Sequence, residues 1–521
     1  MKIIPGKIIL TGFISVLAAI ACNARSNDSI IGPADYSLLP LQYIWLQTTN
    51  PVAYADIEGD RMDAVLGYRY GSGDYKPVSD PRSVHSGKVL VEGFKQVDKL
   101  HFYGSFLYNI SSLEGQKWKD VLLPSPGNPF ILGDSIGGDY DNELFEIKGV
   151  MASSANENFK WGVSMNYKGG SSADQNDPRP LIDAMRYSVR PGILYRIPSS
   201  SWGLGLDLGY ERYREDIKIS VIETNIVHHF FLFQGIGLYY MESGISYSRR
   251  YKGNAFSGNG YVNWKNNAAE NILRIGYENR TENSEDGSSE SPFRSGDYKE
   301  TVYSLSDIFS VKKDAMAHIL KIYADYSPSK GIWYDQKKTV NPNDPSIIWE
   351  VYNKSVKYKN KVTKAGLEYT GLKERQGFKD YSFGASFDYE QSKTDFLPDM
   401  YLQKYSNLKA SIKGGKTFWL PGRSQLSLDL DVSYRKNLTS KAGFDGIKLA
   451  DLWSYPLFEY LTSDFYSGGA RAKFSKRTSI GKLPSIIYLT AGIDYIKSTQ
   501  QTNYFNKPDR INIATSLGFT F

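Results

Sequence analysis

The chain has 521 residues, a formal net charge of +6, 41% hydrophobic residues and one cysteine. One cysteine excludes a disulfide framework, and so small and dispersed a positive charge leaves no electrostatic footprint for nucleic acid. No stretch beyond the N-terminus holds the roughly 18 uninterrupted apolar residues that a membrane-spanning helix needs.

Lys2 and Lys7 flank the start of an apolar run from Ile8 to Ala21, with small residues at Ala19, Ala21 and Ala24. This is the layout of a secretory signal peptide over residues 1–24, too short for a comfortable membrane helix. Cys22 has two readings. Ala19-Ile20-Ala21-Cys22 is a degenerate lipobox, which makes Cys22 a candidate for lipidation. Cleavage after Ala24 would instead remove it with the signal peptide. Plain cleavage is favoured, because Ala19 stands where an aliphatic residue is expected.

Residues 25–60 come next. Leu38-Leu39-Pro40-Leu41 and Tyr43-Ile44-Trp45-Leu46 are apolar without alternation, unlike the remainder of the chain. Thr49-Asn50-Pro51-Val52-Ala53 reads as a turn. From Ala64 onward a period of two recurs, the signature of strands. Trp202, Leu204, Leu206, Leu208 and Tyr210 alternate with Gly203, Gly205, Asp207 and Gly209. Phe383, Ala385 and Phe387 alternate with Gly384, Ser386 and Asp388. Leu426, Leu428, Leu430, Val432 and Tyr434 alternate with Ser427, Asp429, Asp431, Ser433 and Arg435. Ile493 and Tyr495 flank Asp494. Aromatics gather at strand ends, where amphipathic rings suit a membrane interface. Short connections at Asn156–Asn158, Pro198–Ser201, Lys312–Asp314, Glu374–Gln376, Leu420–Arg423 and Gly481–Pro484 alternate with longer ones. Counting hairpins this way predicts about 18 strands, with 14 and 16 as competitors. The last strand, Arg510 to Phe521, sets Ile511, Ile513, Leu517, Phe519 and Phe521 on one face against small and polar residues. Such an edge would aggregate in water. It makes sense with one face in lipid and the other on a lumen.

These features resemble the bacterial outer-membrane β-barrels, whose last strand ends in Phe and serves as the assembly signal. The resemblance assigns that signal to Leu517, Phe519 and Phe521. It implies an all-β fold, a transmembrane antiparallel β-barrel over residues 61–521, in the outer membrane of a Gram-negative cell. Outer-membrane lipid and the barrel assembly machinery would be its partners. Residues 25–60 would be a periplasmic or lumen-inserted segment. The position of Asn50-Pro51 is similar to the turn before strand one in fatty-acid-transporter-like barrels, although Val52 departs from that pattern.

Inward Asp207, Asp388, Asp429, Asp431, Arg435 and Asp494 are lumen-lining candidates. They either select solutes or pair and hold a plug. The histidines are His85, His101, His228, His229 and His318. None has Ser two residues after it, the spacing of barrel phospholipases. None has an acid two residues before it, the spacing of barrel proteases. No catalytic, metal or cofactor residue is therefore expected. His228-His229 reads as structural, because neighbours on an extended chain point apart. Asp139, Asp141 and Glu143 read as a solvated loop without the calcium-hand pattern, and Glu282 to Ser291 as a polar loop tip. Three apolar segments on the long-loop side need burial: Val121 to Leu132, Ile226 to Tyr240 and Leu452 to Phe465. They fold into the lumen mouth as a lid or ligand site, dock on a second outer-membrane protein, or extend the strands. The functional expectation is a passive or gated transport channel for small or apolar solutes. The alternative is an accessory barrel that scaffolds a larger uptake or surface complex through its apolar loops.

Overall fold

A computed structural model describes residues 35–521 except 288–290, 314–315, 342–343 and 481–482. The expected signal peptide and Cys22 lie outside the described residues, as do parts of the turns expected near 314 and 481. Eighteen strands close into one antiparallel barrel, the number that hairpin counting predicts. In chain order they begin with β1 Arg61–Gly73, β2 Ser83–Val97, β3 Leu100–Gln116, β4 Gly138–Asn156, β5 Phe159–Asp174 and β6 Arg179–Arg196. Then come β7 Trp202–Ser220, β8 Ser246–Lys265, β9 Ala269–Asp286, β10 Phe293–Lys313, β11 Met316–Asn341 and β12 Asp344–Arg375. The last are β13 Phe378–Phe396, β14 Tyr401–Leu420, β15 Ser424–Gly443, β16 Phe465–Ile480, β17 Leu483–Ser498 and β18 Asp509–Thr520.

Each strand pairs with its sequence neighbours, and β18 closes on β1 with Leu66 opposite Leu517 and Ala64 opposite Phe519. Just inside that seam, Asp63 accepts hydrogen bonds from the Tyr488 hydroxyl (2.8 Å) and the Thr520 hydroxyl (2.6 Å). Tight turns join strands at one end of the barrel. Gln376 and Gly377 between β12 and β13 both have positive φ, 53° and 76°, as a type I′ hairpin turn demands. The other end carries the long connections, 117–137, 221–245 and 444–464. There β11 and β12 run for 26 and 32 residues, where about 10 suffice to cross a bilayer. That hairpin therefore projects well past the apolar zone.

The expected alternation decides which face is which. Leu204, Leu206, Leu208, Ile412, Leu430, Val432, Leu489 and Leu517 are exposed on the outer wall. Asp207 on the same strand as the first three is buried inside. Outer tyrosines Tyr277, Tyr303 and Tyr326 adjoin across β9, β10 and β11, as in the aromatic girdle of a membrane barrel. The stretch Asp139, Asp141 and Glu143 lies in β4. It is strand, not loop, because it pairs with Ser112, Ile110 and the 171–174 segment of β5.

An outer-wall charge should be far more costly than an inner-wall change. Leu430→Arg, at a side chain 62% exposed to the surroundings, is expected to cost about 2–4 kcal/mol if it lies near the midplane. Asp431→Asn next to it should cost much less. Urea unfolding from lipid vesicles measures both.

Candidate functional site: a lumen plugged at one end and capped at the other

The segment before β1 enters the lumen at the turn end. Asn50 caps a short helix, Pro51–Asp56, by accepting from the Val52 amide (3.1 Å). Its amide group donates to the Ile193 and Leu206 carbonyls of β6 and β7 (3.2 and 3.3 Å). Gly192 makes this approach feasible, since a Cβ there would stand 2.3 Å from the Asn50 side-chain oxygen. Asp207 is the fixed point beneath it. Its carboxylate accepts from Arg190, from Asn259 (2.8 Å), from Tyr261 (2.5 Å) and from Thr49 of the plug (3.0 Å). Ile44, Trp45, Val52 and Ala53 pack against Leu194, Tyr261, Ile272, Ile308 and Ile319 of the wall. Leu39 and Ile57 pack on Phe94 of β2. Polar ties complete the ring: Lys160 to Asp56, Gln42 to Glu374 (2.9 Å) and Lys473 to Asp35 (3.0 Å). The apolar but non-alternating 38–46 stretch is thus explained: it folds as short helical turns inside the barrel, burying Leu38, Leu39, Ile44 and Trp45.

The cap closes the loop end. Leu132–Gly133, His229–Gly235 and Leu238–Ser243 form a small sheet with 229–235 in the middle. Gly133 is needed there, because a Cβ would meet the Trp118 backbone at 2.2 Å. Trp118, Phe231, Phe233 and Trp453 form one aromatic cluster, with Phe233 and Trp453 stacked at 4.5 Å. Ser454 donates to the Ile236 carbonyl (2.8 Å), so loop 444–464 joins loop 221–245. Its helix, Tyr455–Thr462, ends beneath Arg435, which donates to the Tyr460 and Ser463 carbonyls (2.8 and 2.7 Å). A cation suits the exposed carbonyls at a helix C-terminus. All three expected apolar segments therefore meet in the mouth, and 226–240 folds as a hairpin of its own instead of extending the barrel strands.

Two wall carboxylates hold the cap. Glu215 of β7 accepts from the Leu122 and Leu123 amides (2.8 and 2.7 Å). Glu282 of β9 accepts from the Ser125 amide and hydroxyl (3.2 and 2.6 Å) and from Asn128 (2.9 Å). Both side chains are buried. Tyr251 and Arg186 donate to the Phe130 and Leu123 carbonyls (both 2.7 Å). The sequence places Glu282 in a polar loop tip. It sits on a strand instead, and its oxygens are needed by loop amides that wall backbone cannot reach. Glu215 carried a readable signal. On β7 the outer face is Leu204, Leu206 and Leu208, but beyond Tyr210 it becomes Arg212, Arg214, Asp216 and Lys218. The inner face there is Tyr213, Glu215, Ile217 and Ile219, all buried. The period holds while the apolar face changes sides, which marks the height where lipid gives way to water outside and to protein inside.

Between plug and wall lies a cavity of ≈ 470 Å³ against β11–β16. Lys379 pairs with Asp429, Lys413 with Glu368 (2.6 Å) and Lys473 with Asp35. The fourth cavity lysine, Lys321, has no ion pair among the described residues. Of the other lumen candidates, Asp388 accepts from Tyr323 (2.6 Å), and Arg471 lies between Asp494 (3.1 Å) and Asp431 (3.9 Å). Arg435 faces inward but is committed to the cap helix. Leu517 faces outward in β18, Phe519 shares its face and Phe521 follows the strand. His228 is buried with both ring nitrogens unpartnered, and His229 bonds Ser243 (2.7 Å). No set of three metal-binding side chains converges among the described residues.

Asp120 of the cap loop is fully buried beside Asp134 and accepts from Tyr140, while its second oxygen has no partner. Burial, then the Asp134 charge, pushes its pKa well above the usual 3.8. A raised acid favours the packed loop at low pH and opposes it once pH rises through the folded value. Proteolysis within 117–137 is expected to accelerate as pH rises above the ordinary carboxylate range. Asp120→Asn should flatten that dependence; limited proteolysis across pH measures it.

No curated protein matches the chain. Among solved structures, a FadL homologue of Pseudomonas aeruginosa matches at 11% identity and TM-score 0.34, covering 94% of this chain and 95% of its own. The toluene transporter TodX of Pseudomonas putida matches at 9% and 0.30 with the same coverages. BauA, the ferric preacinetobactin receptor of Acinetobacter baumannii, matches at 9% and 0.39, covering 89% and 80%. Likeness at this level is to barrel architecture and nothing finer. A family model matches residues 51–521, the whole barrel with the last short helix of the plug, and the chain belongs to that family, the family of unknown function DUF6850.

Proposed function

We propose that this protein is a gated transport channel for small solutes in the outer membrane of a Gram-negative cell, with its long loops facing outward. The observation that carries the reading is how the cap is held. Glu215 and Glu282 bind loop amides through side chains, so the cap can leave without breaking one strand pair of the wall. The backbone ladder that the membrane demands stays intact throughout. Behind the cap, three of the four cavity lysines are paired with acids and the cavity has the volume of a small-molecule site. A solute crossing this route would meet aromatic groups at the mouth and paired charges below.

An apolar rim supports a second reading, an accessory barrel for another outer-membrane protein. Ile222, Ile226, Val227, Tyr240, Met241 and Ile245 of one loop are all at least half exposed. Patches of this kind mark interfaces. Val227→Glu with Ile245→Glu should then abolish a stoichiometric co-purifying partner while leaving the barrel folded.

The channel reading is tested in planar bilayers. Wild type is expected to conduct rarely. Glu282→Ala, which strands buried donors at about 1–3 kcal/mol each, should raise open probability by an order of magnitude or more. Asp429→Asn with Asp431→Asn in that background should shift selectivity toward anions. Unchanged conductance on releasing the cap would sink the channel.

A further inference from the structure

Seven lysines form a belt on the outer wall at the loop end. Lys299, Lys330 and Lys359 stand directly opposite one another across β10, β11 and β12. Lys361, Lys393, Lys404 and Lys441 do the same across β12, β13, β14 and β15. Lys359 and Lys361 share one face of β12, so the two rows join. Their strand neighbours Tyr298, Ser329, Tyr358, Ser392, Thr394 and Gln403 are buried inside, which points the lysines outward. All are exposed except the half-buried Lys404.

Like charges placed directly opposite on a sheet destabilise it. Across this belt only Asp395 offers a carboxylate opposite a lysine; it faces Lys359 and pairs with Lys393 at 3.0 Å. The other six belt lysines have no ion pair among the described residues. The far wall is built differently. There Arg214 and Arg250 share Asp216 (2.7 and 2.6 Å), and Lys252 pairs with Glu285 (2.8 Å). Unpaired lysines are thus concentrated on one side of the barrel, where the seven of the belt stand in adjoining rows, and anions outside the chain would balance them.

Height along the strand identifies what that is. Tyr326 precedes Lys330, and Tyr389 precedes Lys393, by four residues, about 13 Å along a strand at ~3.3 Å per residue. Below the tyrosines lie exposed Ile322, Leu367, Phe387 and Ile412. The lysines therefore stand a headgroup's height above the apolar zone, where tyrosines mark the interface. Their stems reach along the wall while the ammonium groups stay in the polar layer.

We infer that this belt binds the phosphates of the anionic glycolipid in the outer leaflet, the lipid A class, along β10–β15. The inference rests on the proposed placement in the outer membrane with loops outward. It does not depend on conductance.

The test uses the full chain, delipidated in mild detergent, and native mass spectrometry with diphosphoryl lipid A or the same lipid stripped of phosphate. Wild type should retain the diphosphoryl form and not the stripped one. Lys361→Gln, Lys393→Gln, Lys404→Gln and Lys441→Gln together should weaken retention by about fivefold per lysine removed. Four changes outside the belt, at Lys99, Lys117, Lys448 and Lys507, should leave it unchanged. Heat-modifiable migration confirms that each variant is a closed barrel. Equal retention by the belt variant, or by wild type for the stripped lipid, overturns the inference. Surface labelling of loop 221–245 on intact cells separately tests the placement: a loop unreachable from outside would overturn the placement, whatever the lipid assay reads.

Discussion

Inside hydrocarbon an amide without a partner has no water to turn to, so the pairing of β18 with β1 is the constraint on which everything else depends. Leu66 must meet Leu517, and every side chain between is then assigned to lipid or lumen, because a slip of one residue would exchange the two faces. Closure also fixes a wide interior. A barrel of this strand number leaves a lumen that wall side chains alone do not fill. The chain fills it from both ends with its own segments, and the chemistry of the inner wall is arranged to receive them.

The two fillings share an apolar seat on the wall and differ in their polar ties. The plug is an apolar body, Ile44, Trp45, Val52 and Ala53, seated on apolar wall residues and fixed by Asp207. Moving it would expose that surface and leave the buried Lys160 of the wall without Asp56, a loss of several kcal/mol. The cap has its own aromatic core, Trp118, Phe231, Phe233 and Trp453, which stays together if the cap moves as a body. It too has an apolar seat on the wall, Val121, Leu132, Phe230 and Leu232 against Ile182, Tyr213, Ile217 and Ile219, to which Glu215 and Glu282 add hydrogen bonds that water can replace. On the proposed gating the cap is the part that moves, because its strands pair with one another and not with the strands of the wall.

Much of the barrel was legible because a membrane strand is a strict two-state pattern. Leu428, Asp429, Leu430 and Asp431 can be sorted by parity alone, and short turns such as Gln376-Gly377 reveal the strand count. What parity cannot show is which inward residue meets which. Asp207 and Asp429 look alike in sequence. One is the anchor of a plug and the other pairs with Lys379 at a cavity, because the difference comes from a segment more than a hundred residues away. Asp139, Asp141 and Glu143 looked like loop since three acids suit water as well as a strand that rises above the membrane.

The same limit applies to the outer wall, and there it can be turned to use. A lysine is unexceptional at any one of positions 361, 393, 404 and 441, which are separated by long hairpins. Only the register brings them to one height on neighbouring strands. Beyond Tyr210 the outer face of β7 turns from leucine to Arg212, Arg214, Asp216 and Lys218, and Asp216 there pairs with both Arg214 and Arg250. On β10–β15 the lysines have almost no acid opposite them. Two walls of one barrel thus meet the solvent boundary differently, one with acids set among its cations and one with rows of lysines that have almost none. The inferred lipid phosphates would supply the second wall with the anions that its own sequence lacks, and would relieve the repulsion between lysines set directly opposite one another.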